Sequence, residues 1–153
     1  MTLDAIDVRI LEVLQQNARV SISELSKQVN LSLSAVSERL KKLETSGIIE
    51  RYTTIINPSS MEKELSVLML LSLENSAHGQ EIREFFDKAD EVLECHRITG
   101  EYDYALKITT KNTSTLEHLM SEIKNLPGVR HTQTNVILST SKNNYSILPI
   151  ASK

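Results

Sequence analysis

The sequence predicts an α+β protein of two domains, a winged helix-turn-helix domain followed by a ferredoxin-like βαββαβ domain. Three observations carry this prediction. Residues 3–47 have apolar side chains at helical spacing, residues 48–57 change to β-branched and aromatic types, and residues 65–139 alternate strand-like with helix-like segments. The chain has 153 residues, of which 40% are hydrophobic and 24% charged, as is typical of folded globular domains.

The first two helices are predicted from their caps. The first begins after Asp4, a good N-cap residue, and ends at Asn17. The second begins at Ser21, because Glu24 three residues later completes the capping-box pattern. Apolar residues at helical spacing mark the buried faces of the two helices, namely Ile6, Ile10, Val13, Leu14, Leu25 and Val29.

A third helix is predicted from its cap, Ser32, to Gly47, a residue type that commonly follows a helix end. Residues 48–57 are rich in isoleucine, so we predict a strand that forms one arm of a wing. Pro58 and the two serines after it indicate a linker. The predicted division is a winged helix-turn-helix domain at 1–57, a linker at 58–64 and a second domain at 65–153.

The second domain is predicted as strands at 65–74, 91–99, 102–110 and 129–139 and helices at 78–89 and 113–126. This order fits a split βαβ fold, in which two helices cover one face of a sheet. Leu68 and Leu70 would lie on the other face of the first strand. Since that face has no helix to cover it, we expect a second copy of the sheet there, rather than a monomer.

The charge distribution permits DNA binding. The formal net charge is -3, yet residues 1–60 hold seven acidic and seven basic side chains, and the acidic excess lies in the rest. A nucleic-acid-binding protein needs a local basic surface rather than a basic chain. The predicted third helix supplies one, and a helix-turn-helix places its second helix in the major groove.

The exposed side of the third helix gives the candidate DNA-binding residues. Arg39 suits a guanine edge or a phosphate, and Lys41 and Lys42 suit phosphates, which add affinity that depends on salt. A solvated helix surface of no further function would have a similar composition. The predicted contact set is Ser34, Ala35, Ser37, Glu38, Arg39, Lys41 and Lys42.

Residues 3–49 resemble the N-terminal domain of the Lrp/AsnC transcription regulators. The segment RITGEYDYALKI, with LPGV and TQTNVIL after it, resembles their RAM/ACT-like effector and oligomerisation domain. The resemblance implies a homodimer that pairs through its sheets, assembly of dimers into tetramers or octamers, and an amino-acid effector bound between dimers. The segment PSSMEKE departs from the family, where many members have a glycine-containing turn.

The loop from Gly100 to Asp103 lies between two predicted strands, and a plain hairpin turn explains its glycine. A carboxylate at Glu101 or Asp103 would pair with the ammonium of an amino acid, and backbone amides around Gly100 would bind its carboxylate. The resemblance implies an effector site, for which the candidates are Gly100, Glu101, Tyr102, Asp103, Thr132 and Thr134.

Other readings are weaker. Cys95 and His96 are neighbours on a strand and point to opposite faces, and the remaining histidines are isolated, so we predict no metal, no cofactor and no enzyme activity. Sirohaem decarboxylases share this architecture. Their substrate carries many carboxylates and would require a basic cavity, whereas the acidic excess of this chain lies in the second half. A small-molecule sensor that no longer binds DNA is a third reading. One cysteine and no membrane-spanning run or signal peptide predict a cytoplasmic protein.

Overall fold

The computed structural model describes residues 2–75, 77–145 and 147–151. They form two compact units. The first holds the residues up to Ile55 together with the described residues from Lys142 onward, and the second is Ile56–Ser141. The described residues from Lys142 onward therefore group with the first unit, although the sequence-based division follows the chain and assigns them to the second domain.

The first unit contains the three predicted helices, α1 (Ala5–Gln16), α2 (Ile22–Val29) and α3 (Leu33–Thr45). Their caps are confirmed, since the side chains of Asp4, Ser21 and Ser32 each accept a hydrogen bond from the backbone N–H three residues later. The fully or nearly fully buried residues that join the helices are Ile10, Leu11, Val13, Leu25, Val36 and Leu43.

The turn between α2 and α3 is short because Asn30 adopts the left-handed conformation, with a φ of 54°. Asparagine tolerates this conformation better than most residues. The side chain of Ser26 donates to the carbonyl of Leu31, which holds the turn against α2. Just after the end of α3, Gly47 has a φ of +74°, a left-handed conformation that favours glycine at this position.

The strand predicted for residues 48–57 is wrong. Residues 50–57 have no regular structure, and Ile55 and Ile56 are 65% and 59% exposed. A strand requires a neighbour for its backbone hydrogen bonds, and none of the described segments pairs with this one. A 3₁₀-helix at Pro58–Met61 follows, with Asn57 as its cap.

The second unit is a four-stranded antiparallel sheet with two helices. Its elements are β1 (Leu65–Leu73), α4 (Gly79–Lys88), β2 (Val92–Arg97), β3 (Tyr104–Thr110), α5 (Thr113–Lys124) and β4 (Val129–Val136). The strand order is β2-β3-β1-β4, which confirms the ferredoxin-like topology. Strand β4 ends three residues before the predicted end. Among the described residues, no helix combines the length and hydropathy needed to cross a membrane.

The two faces of β1 differ in burial. Val67, Met69 and Leu71 are fully buried and form the core with residues of β3, α4 and α5. Between them on the opposite face, Leu68 is 46% exposed and Leu70 is half-buried. We call this opposite side the open face of the sheet, and it is the face predicted to pair with a second copy.

Candidate functional site

The predicted DNA-binding residues lie on α3 and differ in exposure. Ser34, Ser37, Glu38, Lys41 and Lys42 are exposed, whereas Ala35 and Arg39 are half-buried. Helix α3 turns by about 100° per residue, so the predicted contact residues, which lie between positions 34 and 42, do not all share one face. The helix therefore presents a polar surface with several short side chains near its N-terminus and two lysines near its C-terminus.

The N-terminal turn of α3 is held by hydroxyl groups. The Oγ atom of Ser32 accepts from the backbone N–H of Ala35 at 3.3 Å and lies 3.1 Å from the Oγ atom of Ser34. A helix N-terminus with exposed N–H groups and small side chains allows close approach of an anion such as a phosphate. Ala35 adds no polar atom here, so its contribution to DNA binding would be its small size.

The two lysines of α3 have different surroundings. Lys42 Nζ lies 3.1 Å from Glu38 Oε1 in an exposed pair one helical turn apart. Such a pair is weak in water and opens readily when a phosphate competes for the lysine. Within the described part of the chain, Lys41 has no ion-pair partner. Both ammonium groups are therefore available to the DNA backbone.

Arg39 is engaged within the protein. Its Nη1 atom lies 2.7 Å from Asp4 Oδ2 and 2.7 Å from Asp7 Oδ1. Asp7 is only 3% exposed although it carries a carboxylate. The backbone N–H of Asp7, and then the guanidinium of Arg39, hold the pKa of Asp4 below its usual range, and the same side-chain hydrogen bonds raise the pKa of Arg39. Sequence reasoning treated Arg39 as a free surface cation because its partners lie in another helix.

The loop predicted to bind the effector joins β2 to β3. Gly100 has a φ of +114°, a conformation that disfavours side chains with a Cβ atom. Asp103 is built into the sheet, since its Oδ2 atom accepts from the N–H of Leu73 at 2.7 Å and its own N–H donates to the carbonyl of Leu71 at 2.8 Å. Glu101 is exposed, so its carboxylate is the more accessible of the two to a ligand.

Tyr102 brings the loop into contact with β4. Its Oη atom donates to Gln133 Oε1 at 2.7 Å, and its ring stacks on His131 with 6.1 Å between the ring centroids. In the register of β4 with β1, Gln133 lies opposite Leu70 and His131 opposite Ser72. Both residues are therefore on the open face. Sequence reasoning missed them, since it could not determine which alternate residues of β4 share a face with the loop.

Thr132 and Thr134 lie on the other side of β4. They pair with Leu71 and Met69, whose side chains point into the core. The Oγ1 atom of Thr134 is buried, and within the described residues it has no hydrogen-bond partner. The structure thus brings Tyr102 to His131 and Gln133, while the two threonines belong to the face that the helices cover.

Metal-binding potential is absent from the described part of the chain, where no three His, Cys, Asp or Glu side chains come together to hold an ion. Cys95 is an exposed thiol, and burial of part of its side chain raises its pKa. A raised pKa leaves little thiolate at neutral pH, which disfavours a nucleophile.

Family models match both units of the chain. A winged helix-turn-helix DNA-binding model matches residues 3–50, and a model of the Lrp/AsnC ligand binding domain matches residues 66–147. The second match begins within β1 and contains the loop at Gly100 and all of β4. The two matches keep the order that the sequence predicts.

Curated relatives cover nearly the whole chain. The leucine-responsive regulatory protein of Escherichia coli is 36% identical over 143 residues, which is 92% of this chain and 87% of the relative. The HTH-type transcriptional regulator FL11 of Pyrococcus abyssi is 35% identical over 142 residues, or 93% of each chain. The first is named as a regulatory protein that responds to leucine, and the second as a transcriptional regulator.

Solved structures agree with the fold. A transcriptional regulator of Neisseria meningitidis, crystallised as a complex with L-methionine, is 33% identical and superposes with a TM-score of 0.89 over 95% of this chain and 96% of its own. The leucine response regulatory protein of Mycobacterium tuberculosis is 28% identical, with a TM-score of 0.83 over 96% of this chain and 100% of its own.

Proposed function

The chain belongs to the Lrp/AsnC family of transcription regulators, with a DNA-binding and a ligand-binding domain, and we propose that it binds DNA through α3 as a homo-oligomer that responds to an amino acid. The observation that carries this proposal is the polar, lysine-bearing surface of α3 beside a short turn, in a chain that also has the ligand-binding domain of the family.

DNA recognition is assigned by residue. Lys41 and Lys42 bind phosphates and supply affinity without sequence preference. Ser34 and Ser37 offer short hydroxyl groups to base edges, Ala35 permits close approach, and Glu38 accepts from a cytosine amine or releases Lys42 to a phosphate. Arg39 belongs to the predicted set, but its two aspartate partners favour a role within the protein.

The ligand proposal rests on the loop at Gly100. An amino acid presents one ammonium and one carboxylate, and the loop offers an accessible carboxylate at Glu101 and backbone N–H groups around Gly100. Tyr102 would orient the ligand, and Asp103 would hold the loop to β1. Thr132 and Thr134 belong to the predicted set, but they lie on the face of β4 that the helices cover, which favours a packing role. Relatives named for leucine, and one solved with L-methionine, support an apolar amino acid.

Assembly is proposed through the open face of the sheet. Leu68 and Leu70 form its apolar centre. Lys107 lies opposite Leu68 on β3, and its Nζ atom is 3.0 Å from Glu94 Oε1. An apolar centre with a polar surround is typical of protein interfaces. Pairs of this kind assembling further into tetramers or octamers would place effector loops of different subunits close together, as the family resemblance implies.

The protein is proposed to act without catalysis, cofactor or metal, and in the cytoplasm with its DNA. The family consists of transcription regulators, and the described residues hold no metal-binding cluster. The decarboxylase alternative requires a basic cavity, and the residues around the loop include Glu101 and Asp103. The sensor-only alternative is disfavoured by the exposed lysines of α3.

The DNA interface is tested by replacing Lys41 and Lys42 together with alanine. Each phosphate contact contributes about 0.9 to the slope of log affinity against log salt, so the slope should fall by about 1.8 per subunit. Affinity should fall at least on the order of tenfold at moderate salt. The control replaces Lys88 and Lys124, in the second unit, and should change neither value. An unchanged slope in the α3 variant would contradict the assignment.

The assembly is tested by Leu68→Lys, measured by light scattering or sedimentation at micromolar concentration. Two lysines facing each other near Lys107 would repel across a desolvated interface, so we expect smaller species than for the parent protein. Leu33→Lys is the matched control, because Leu33 is 55% exposed but lies in the first unit. A monomeric parent protein, or an unchanged assembly of Leu68→Lys, would refute pairing through the open face.

The ligand is tested by a thermal-shift screen with the twenty amino acids. A ligand at a hundredfold excess over its Kd should raise the melting temperature by about 5–10 °C for a chain of this size. L-leucine and L-methionine are the first candidates, and Glu101→Gln should reduce the shift because it removes the partner of the ammonium. Glu117→Gln, on α5, should not. A flat screen would sink the ligand proposal and leave the DNA proposal intact.

A further inference from the structure

We propose that Arg39 is a positioning residue that sets the rotation of the recognition helix α3, and that Asp4 and Asp7 are required for DNA binding although both are acidic. This inference rests on the proposed role of α3 in DNA recognition. It gives Arg39 a different role from the expected one, since a guanidinium on a recognition helix would otherwise be assigned to a base or a phosphate.

The two aspartates use their oxygen atoms in complementary ways. Asp4 Oδ1 accepts from the N–H of Asp7 at 2.8 Å, and Asp7 Oδ2 accepts from the N–H of Asp4 at 3.2 Å, which caps α1 reciprocally. The remaining oxygen of each carboxylate accepts from Arg39 Nη1 at 2.7 Å. The first turn of α1 and the middle of α3 are therefore joined by one continuous network.

Burial makes this network difficult to replace. The side chain of Asp7 is 4% exposed and that of Arg39 is 29% exposed. A carboxylate removed from water requires a cation with good geometry, and loss of that cation leaves a buried charge without compensation. If Arg39 moved to a DNA phosphate, the buried carboxylate of Asp7 would lose its cation.

The helical period places part of the proposed DNA-contact set away from Arg39 and part beside it. Residues two positions away on a helix project about 160° apart, so Ser37 and Lys41 lie nearly opposite Arg39. Ser34, five positions earlier, projects about 140° from it. When Arg39 points toward α1, these three side chains point away from α1, whereas Lys42, three positions later, projects only about 60° from Arg39 and borders the ion pairs. The ion pairs thus fix which side of α3 meets the DNA.

The proposal is tested by whether removal of an aspartate charge weakens or strengthens DNA binding. Electrostatics alone predicts that removing a negative charge near DNA strengthens binding. If Arg39 must be held in place, the same change should weaken it. Asp4→Asn is the informative variant, because asparagine is an equally good N-cap and so preserves α1, while one of the two ionic partners of Arg39 is lost.

The experiment uses the full-length protein and two duplexes, one selected from a random library by the parent protein and one scrambled. We expect Asp4→Asn and Asp7→Asn to weaken binding to the selected duplex by about tenfold, comparable to losing a base contact, with little change on the scrambled duplex. Glu12→Gln removes the same charge from α1, where Glu12 pairs with the exposed Arg9, and should leave both affinities unchanged.

The salt dependence distinguishes positioning from direct contact. Arg39→Gln should lower affinity for the selected duplex while the salt slope stays the same, because no phosphate contact is lost. A fall in that slope by about 0.9 per subunit would assign Arg39 to a phosphate and overturn the proposal. Equal or tighter binding by Asp4→Asn, at an unchanged melting temperature, would also overturn it.

Folding and the underlying DNA proposal are controlled separately. Circular dichroism and melting temperature are measured for every variant, and if Asp7→Asn unfolds the first unit, Asp4→Asn still decides the question. If replacement of Lys41 and Lys42 also leaves DNA affinity unchanged, then the assignment of α3 itself fails and the role of Arg39 fails with it. If only the lysine variant weakens binding, the positioning role alone is wrong.

Discussion

Two carboxylates and one guanidinium connect the start of α1 to the middle of α3, and the geometry of the first unit depends on them. Asp4 and Asp7 each give one oxygen to the helix cap and the other to Arg39. A helix cap is a local interaction within one segment, whereas an ion pair between helices is a tertiary interaction. Here the same two side chains do both, so the start of one helix and the rotation of another cannot change independently.

The second unit depends on a different constraint, the alternation of side chains along β1. One face holds Val67, Met69 and Leu71 in a core that the two helices close, and the other presents Leu68 and Leu70 without a cover. The loop proposed to bind the effector contacts β4 on that open face through Tyr102. In the proposed assembly, therefore, the surface that pairs subunits adjoins the surface that senses the ligand, and one can influence the other.

Local signals in the sequence predicted the helices, their caps and the order of strands, because Asp4, Ser32 and Gly47 act on neighbouring backbone groups. Features that depend on distant partners were not predictable. Arg39 reads as an exposed cation until Asp7, 32 residues earlier, is placed beside it. Residues 48–57 have strand composition, but no segment that the structure describes pairs with them, and the side of β4 that meets Tyr102 depends on register.

The central claim is that ligand binding in the second unit and DNA binding in the first are linked through one assembly. The direct measurement is a closed cycle, with the affinity for the selected duplex determined with and without the amino acid that stabilises the protein, and the affinity for that amino acid determined with and without duplex. Linkage requires the two ratios to be equal, and we expect a factor of about 5 to 150. If the protein bound both the duplex and the amino acid, but neither one changed the affinity for the other, the claim would be contradicted.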